Sequence, residues 1–244
     1  MQDKRFISEA YESFSAKKIF GQTFHPGNLE FTARVAEIAG IEKSSFVMDV
    51  ACGEGVASRF FAGQYACKVV GIDFSYKMLC RAQDISKRES LSSLVYSVRG
   101  DANKLPFLDS VFDVLISECS FSLLSDKEIA AQEFRRVLKP EGKLVITDVI
   151  LNGQIDEDLR TRATYALCVA GAETLKNYIS LFEQAGFIVY CVEDHSKELK
   201  KLAFQLLTNP NTQSTLHDSA SKQNWQRLFK QGKPGYALIA MVKS

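Results

Sequence analysis

The stretch that decides the fold is Val47-Met48-Asp49-Val50-Ala51-Cys52-Gly53-Glu54-Gly55, in which an apolar run leads into a turn with two glycines. A helical pattern follows over residues 57–64. Gly53 and Gly55 allow a tight turn and a close approach of the backbone to a ligand, and the first turn of the following helix supplies unpaired N–H groups. This stretch predicts a strand, a turn and a helix. By itself it also fits a purely structural turn or a pyrophosphate site.

Short apolar runs alternate with helical patterns on both sides of this turn, as expected for βαβ units and a parallel sheet. Residues 186–192 and 236–242 predict two further strands, which can pair antiparallel. The sequence therefore predicts an α/β fold with a mostly parallel, seven-stranded sheet and an antiparallel last strand. The other predicted strands are 46–50, 68–73, 94–99, 112–117 and 143–148, and the predicted helices are 8–18, 28–39, 57–64, 76–87, 127–138, 157–169 and 175–185.

Two connections carry their own predictions. Residues 139–142, Lys-Pro-Glu-Gly, favour a turn into the fifth strand. Residues 208–223 are polar and predict a mobile loop. No linker divides the 244 residues, so we expect a single domain with a helical lid (1–40), a ligand-binding core (41–150) and substrate-side elements (151–244).

Composition excludes several classes of protein. Hydrophobic residues make up 46% and charged residues 24%, which is ordinary for a globular domain. The net charge of +1 predicts no broad surface for nucleic acid or membrane, and the lysines of 197–201 are interpreted as a solvated face. The N-terminus lacks the apolar core of a signal peptide. Six cysteines without a C-x-x-C pair argue against a zinc ribbon or a disulfide framework. We expect reduced thiols and a cytoplasmic location.

Two aspartates at strand ends make the first turn more informative. Asp73 ends the second predicted strand, where a carboxylate can accept hydrogen bonds from both hydroxyls of a ribose. It can equally cap the helix after Ser75. Asp101 follows the third strand and can accept from an adenine amino group, while the Ala102 amide donates to a ring nitrogen. A nicotinamide-binding protein would favour glycine at Ser58 and leaves Asp101 unexplained.

Together these segments resemble the core of the class I methyltransferases that use S-adenosylmethionine (SAM). The resemblance spans residues 46–148 and implies a Rossmann-like fold with SAM as cofactor. It departs at Ala51, where the family usually has glycine, which predicts a slightly shifted backbone. The matching segments are VMDVACGEG, VVGIDFS, RGDANKLPF, FDVLISECSFSLL and RRVLKPEGKLVITD. The cofactor-binding residues implied are Asp49, Ala51, Cys52, Gly53, Gly55 and Ser117 around the methionine end, Asp73 at the ribose, and Phe74, Met78, Asp101 and Ala102 at the adenine.

The acceptor side is expected after the fourth strand, at Glu118 and Cys119, because reacting groups gather at the carboxyl ends of the strands. Cys168 can fold over the same mouth, and two thiols suit a thiophilic centre such as trivalent arsenic. The segments ISECSFSLLSDK, CVAGA and EQAGF also resemble the arsenite methyltransferases. Glu118 replaces their usual asparagine, and residues 1–51 lack their additional cysteines. Alternatively, Cys119 and Cys168 are small apolar residues of a pocket wall.

Several side chains keep two interpretations each. Glu118 is a candidate catalytic base, with Cys119 and Cys168 as the other catalytic candidates, or it only borders the cofactor. His25 is a candidate substrate contact or a solvated loop residue. Tyr11 and Phe14 line a lid or pack a helix. Cys67, Cys80 and Cys191 are interpreted as structural, as is Cys52 beyond its place in the turn.

The predicted function is SAM-dependent methylation of a small molecule, with trivalent arsenic on Cys119 and Cys168 as one candidate acceptor. The alternative is a C-, O- or N-methyltransferase of an organic metabolite, similar to the quinone and sterol methyltransferases. A SAM-binding protein without turnover is the remaining possibility. The expected partner is the small methyl acceptor alone, without nucleic acid or membrane.

Overall fold

The computed structural model describes residues 9, 11–12, 25–161, 164–165, 168–208 and 219–244, with side chains except at 206–207 and 219–225. The predicted helix at 8–18 and Phe14 therefore lie largely or wholly outside the described residues. The strands are β1 (Phe46–Val50), β2 (Lys68–Asp73), β3 (Val95–Arg99), β4 (Phe112–Glu118), β5 (Leu138–Leu151), β6 (Phe187–Asp194) and β7 (Pro234–Lys243). The helices are α1 (Asn28–Ala39), α2 (Val56–Tyr65), α3 (Tyr76–Arg88), α4 (Lys127–Val137), α5 (Leu175–Gln184), α6 (Ser196–Thr208) and α7 (Ser219–Gly232).

One seven-stranded sheet runs through the chain in the order β3-β2-β1-β4-β5-β7-β6. Strands β1 to β5 pair in parallel, and β7 lies antiparallel between β5 and β6. This confirms the predicted fold class. The predicted bounds of β1, β2 and α1 are also those of the structure, and those of the other predicted strands differ by one or two residues, except for β5.

Both faces of the sheet are covered, because successive residues of a strand point to opposite sides. Val47 and Val69 belong to the core beneath α1 and α2, with Phe61 at its centre. Met48 and Val70 belong to the core beneath α4 and α5. Burying each side chain of this kind stabilises the fold by roughly 1.5–3 kcal/mol. The two cores hold the carboxyl ends of the strands rigidly in one row.

Three local predictions were wrong. Residues 139–142 are not a turn before the strand: β5 already begins at Leu138, and its register against β4 shifts between Phe112 and Val114. Residues 157–169 are not one continuous helix: Glu157–Leu159 form a 3-10 turn, residues 160–161 are irregular, and Thr164 and Tyr165 are helical. There the Thr164 hydroxyl accepts from the Thr161 amide and donates to the Leu159 carbonyl, and such side-chain bonds compete with a helix.

The predicted loop at 208–223 is the third correction. Helix α7 already begins at Ser219, and residues 209–218 lie outside the described part of the chain. Its polar sequence is anchored by tertiary contacts, since Leu228 is buried and Arg227 forms ion pairs with Asp156 and Asp158. The lysines of 197–201 lie on α6 and are exposed, as the predicted solvated face requires. No helix within the described ranges is long and apolar enough to cross a membrane.

Candidate functional site

A cavity opens where the parallel strands end. Its walls come from the carboxyl ends of β1, β2, β3 and β4 and from the residues that follow them. Of the predicted site residues, the lining includes Asp49, Ala51, Cys52, Gly53, Asp73, Phe74, Met78, Asp101, Ala102, His25, Glu118 and Cys119. Gly55, Ser117 and Cys168 are not among the described lining residues.

The turn after β1 takes a backbone conformation that favours glycine. Gly53 and Gly55 have φ angles of 55° and 69°, and Ala51 has a φ of 56°. An L-residue in this left-handed region is strained by roughly 1–2 kcal/mol. Ala51 stands where the family usually has glycine. It therefore has a left-handed backbone, which its methyl group strains.

The Asp73 carboxylate, at the end of β2, already holds the turn together. One oxygen accepts from the Gly53 amide at 2.9 Å, and the other accepts from the Ser75 amide at 2.8 Å. Burial raises its pKa. Ser75, rather than Asp73, caps α3 by accepting from the Met78 amide at 3.1 Å. Because each carboxylate oxygen has two lone pairs, acceptor capacity remains toward the cavity.

Asp101 and Asp49 border the cavity on either side of this turn. One oxygen of Asp101 accepts from the Asn103 amide at 3.0 Å. Asp49 is buried under the turn and accepts from the Ser58 hydroxyl at 2.5 Å. Burial raises the pKa of Asp49 to about 7, with the charges of Glu118 and Asp73 acting in the same direction. The protonation of Asp49 can therefore change near neutral pH.

A second group of polar side chains lies across the cavity, at the end of β4. The Glu118 side chain is only 5% exposed, and its carboxylate lies 3.6 Å from His25 Nε2. The fully buried Thr32 of α1 donates to Glu118 Oε1 at 3.1 Å. His25 and Glu118 both line the cavity, so a carboxylate and an imidazole, both buried, meet on the acceptor side.

The two predicted thiols are close together, but only one borders the cavity. Cys119 and Cys168 both have left-handed backbones, with φ angles of 52° and 63°, and their sulfurs and an Asp148 oxygen lie within 4.8 Å of one another. A hydrogen bond from the Cys119 thiol to Cys168, together with burial, raises the pKa of Cys119 well above its usual value. The Cys168 thiol donates to the Cys119 carbonyl at 3.0 Å and contacts the Tyr11 hydroxyl at 3.5 Å.

The structure also adds site residues that the sequence reasoning missed. Thr32 lies on the buried face of α1 and resembles any core threonine in the sequence. Tyr236 is fully buried on β7, where its hydroxyl bonds Thr147 at 2.9 Å and reaches the Cys119 thiol. Only the periodicity of α1 signalled an inward-facing position for Thr32. Besides Tyr11, the additional lining residues are Val50, Glu54, Val56, Ala57, Ile72, Ser75, Gly100, Asn103, Ser120, Leu123, Leu124 and Ser125.

Comparison with known proteins identifies the family. A family described as a methyltransferase domain matches residues 41–233. The chain belongs to this family, and it is a SAM-dependent methyltransferase with the class I fold. Methyltransferase GfsG of Streptomyces halstedii is 28% identical, covering 87% of this chain and 79% of that protein. An arsenite methyltransferase of Halobacterium salinarum is 27% identical over 61% of this chain and 39% of its own length.

Solved structures agree on the fold. The phosphoethanolamine N-methyltransferase 2 of Haemonchus contortus, bound to phosphomonomethylethanolamine and S-adenosylhomocysteine, superimposes with a TM-score of 0.81 at 20% identity. The match covers 100% of this chain and 60% of that chain. The chain spans less than two thirds of the length of most of the curated relatives it matches. The substrates of those relatives are therefore not assigned to this chain.

The described residues fit the methyl donor. Gly53 has a left-handed backbone and no side chain, so a ligand can approach the backbone closely at this position. Carboxylates at Asp73 and Asp101 face the same space as the apolar Ile72 and Met78, a combination that suits a ribose and an adenine ring. When bound, SAM supplies an electrophilic methyl group on a cationic sulfur.

Proposed function

We propose that this methyltransferase methylates an oxygen or nitrogen of a small organic acceptor that is neutral or cationic, with Glu118 as the general base. The observation that carries this proposal is the buried Glu118–His25 pair, 3.6 Å apart, which lines the same cavity as the cofactor-side residues. A hydroxyl or ammonium group must lose a proton to become a nucleophile, and a positioned carboxylate can take that proton.

The charge of the cavity supports this class of acceptor. Among the described lining residues there are five carboxylates, and none is lysine or arginine. Such a lining disfavours a phosphorylated or carboxylated acceptor, because it offers no cation to pair with the anion. Leu123 and Leu124 add an apolar wall beside Cys119. The acceptor is therefore expected to present an apolar body and one reactive hydroxyl or amine.

The cofactor-side residues receive matching roles in this proposal. Asp73 holds the ribose hydroxyls, and Asp101 with the Ala102 amide holds the adenine edge. The turn from Ala51 to Gly55 and Asp49 border the methionine end. These roles are supported by the placement of the side chains around the cavity. Gly55 contributes through the start of α2, and Ser117 by bonding Ser120 at 2.8 Å behind the wall.

We also propose that residues 1–40 act as a lid, with 41–150 as the SAM-binding core and 151–244 as substrate-side elements of one domain. Two described residues of the N-terminal segment support the lid. Tyr11 contacts Cys168 on the acceptor side, and the Glu12 carboxylate accepts from Ser75 at 2.5 Å on the cofactor side. The segment thus bridges both rims of the cavity.

Trivalent arsenic is the second candidate acceptor. Its support is the Cys119–Cys168 pair, since left-handed non-glycine residues concentrate at functional sites and paired thiols suit soft centres. The Asp148 oxygens already accept from Ser122 and Val149, so the two sulfurs would be the donors. This candidate ranks second because Cys168 is buried behind Cys119 rather than among the described lining residues.

The experiment is a methyl-transfer assay with labelled SAM and two acceptor pools. One pool holds hydroxyl- and amine-bearing metabolites with and without phosphate groups, and the other holds arsenite with glutathione. We expect label in uncharged or cationic members of the first pool, with Cys168→Ser retaining transfer. Label in arsenic, lost in both Cys119→Ser and Cys168→Ser while SAM still binds, would replace the proposal by the second candidate. Transfer only to phosphorylated acceptors would contradict the argument from charge.

A further inference from the structure

Thr32 lies between the two members of the proposed base pair. Its hydroxyl oxygen is 3.1 Å and 3.4 Å from the two carboxylate oxygens of Glu118, and 3.3 Å from His25 Nε2. The direct distance between Nε2 and the carboxylate is longer, at 3.6 Å. Thr32 is fully buried and is not among the described lining residues of the cavity. Its hydroxyl therefore bridges Glu118 and His25 without facing the acceptor.

The other ring nitrogen of His25 has a fixed role. His25 Nδ1 lies 3.0 Å from the Pro26 carbonyl oxygen. A carbonyl oxygen can only accept, so Nδ1 carries a proton and donates it. Only Nε2 remains to gain or lose a proton. Gly27, with a φ of 89°, and the start of α1 hold this loop beside Thr32.

The hydrogen-bond directions define a path. Thr32 has one hydroxyl proton, which it donates to the Glu118 carboxylate. Its oxygen can then accept from a protonated Nε2. In the opposite state, a protonated Glu118 donates to the Thr32 oxygen and Thr32 donates to the bare Nε2. The two states hold the same number of protons and differ only in whether one proton lies on Glu118 or on Nε2, and the Thr32 hydroxyl donates and accepts one hydrogen bond in each.

We propose that Thr32 is a positioning residue whose hydroxyl relays the acceptor's proton from Glu118 to His25 Nε2. This inference rests on the proposed function. The acceptor's lone pair forms the new bond to the methyl carbon, the carbon–sulfur bond of the donor breaks, and its electron pair stays on sulfur. Glu118 takes the acceptor's proton and passes it to the Thr32 oxygen, while Thr32 passes its own proton to Nε2. The Glu118 carboxylate is thereby restored, and the His25 ring becomes an imidazolium.

The charged and titratable neighbours of this path come from several elements. Asp49 of β1 and Tyr236 of β7 interact electrostatically with Glu118, and Cys119 follows it in the chain. On the α1 side, Phe31 precedes Thr32 in the chain. The ring of Phe31 packs against the His195 ring, with the two centroids 4.4 Å apart. Since Asp49 carries negative charge when ionised, it also favours a proton on this path.

The test uses nitrogen NMR of the histidine rings in the full chain bound to S-adenosylhomocysteine. The sequence has three histidines, so His195→Gln and His217→Gln variants assign the His25 signals. We expect neutral His25 to carry its proton on Nδ1. We expect Thr32→Val, which removes the bridge, to shift the His25 Nε2 signal, because that nitrogen loses its contact with the Thr32 hydroxyl. Thr32→Ser, which keeps the hydroxyl, should restore it.

A ring proton on Nε2 in the neutral wild-type protein would overturn the relay, even if Thr32→Val fails to fold. An unchanged His25 Nε2 signal in a Thr32→Val protein that still binds the ligand would also overturn it. With an acceptor in hand, Thr32→Val should lower kcat about tenfold with little change in KM. If no acceptor is methylated but the NMR result is as expected, the proposed function is contradicted, whereas the hydrogen-bonded path from Glu118 through Thr32 to His25 still holds.

Discussion

The two halves of the cavity are built in different ways. On the cofactor half, carboxylates accept from backbone amides of the turns that follow neighbouring strands, as Asp73 does with Gly53 and Ser75. On the acceptor half, Glu118 bonds to a side chain of α1, and Cys119 to a residue 49 positions away. The cofactor half therefore depends on local turns, whereas the acceptor half depends on tertiary packing.

This difference indicates which half can vary. A site made of backbone turns and strand ends binds the same ligand in many relatives, because few side chains define it. A site made of α1, the end of β4 and β7 changes with any substitution on one of those elements. Family membership accordingly defines the methyl donor, while we propose that residues such as His25, Thr32 and Glu118 select the acceptor.

The largest expected effect on the cofactor half is that of Asp73→Ala. The change removes two acceptors from the turn and the proposed ribose contacts. We expect SAM affinity to fall by about 1–3 kcal/mol, or roughly 5- to 150-fold in Kd. Calorimetry measures it, with Asp84→Ala on α3 as a control carboxylate outside the lining. Unchanged affinity would show that Asp73 serves the turn alone.

A smaller effect should appear in the pH dependence of SAM affinity. Burial raises the pKa of Asp49 to about 7, so ionised Asp49 predominates only above that pH. SAM carries a positive sulfur and S-adenosylhomocysteine does not. We expect SAM affinity to rise roughly three- to tenfold between about pH 6 and about pH 8, with a weaker rise for S-adenosylhomocysteine. Asp49→Asn should abolish the difference. Parallel pH profiles for both ligands would place Asp49 away from the sulfur.

The smallest effect concerns the strained turn. Ala51→Gly should relieve a left-handed alanine, which costs roughly 1–2 kcal/mol, against a loss of about 0.4–1 kcal/mol from the more flexible unfolded chain. We expect a net gain of about 0.5–1 kcal/mol in the free energy of unfolding by urea titration. Ala66→Gly, also left-handed with a φ of 54° but outside the lining, is the matched control. Destabilisation at Ala51 alone would mean that its methyl group packs favourably.

The cofactor half was predictable from the sequence because its signals are local. The glycine turn follows β1 directly, and Asp73 and Asp101 follow β2 and β3, so strand prediction alone brings them together. The predicted bounds of β1 and β2 are those of the structure. The roles of these residues in binding SAM remain predictions.

The acceptor half was predictable only in part. Glu118 and Cys119 follow a strand and were located by the same rule. Nothing in the sequence placed Thr32 against Glu118, since the two residues are 86 positions apart. Cys168 was predicted to lie at the mouth of the cavity. Its backbone is left-handed, and its buried thiol instead lies behind Cys119. Contacts between distant elements are decided by packing, which hydrophobic periodicity does not specify.

The central claim is that Glu118 removes the acceptor's proton, and single-turnover methyl transfer with labelled SAM tests it most directly. The rate would be measured across pH for wild type and Glu118→Gln, with the exposed Glu141→Gln as control. We predict that Glu118→Gln lowers the rate by about 10²- to 10⁴-fold, with SAM affinity nearly unchanged. A Glu118→Gln protein that transfers methyl at the wild-type rate would contradict the account.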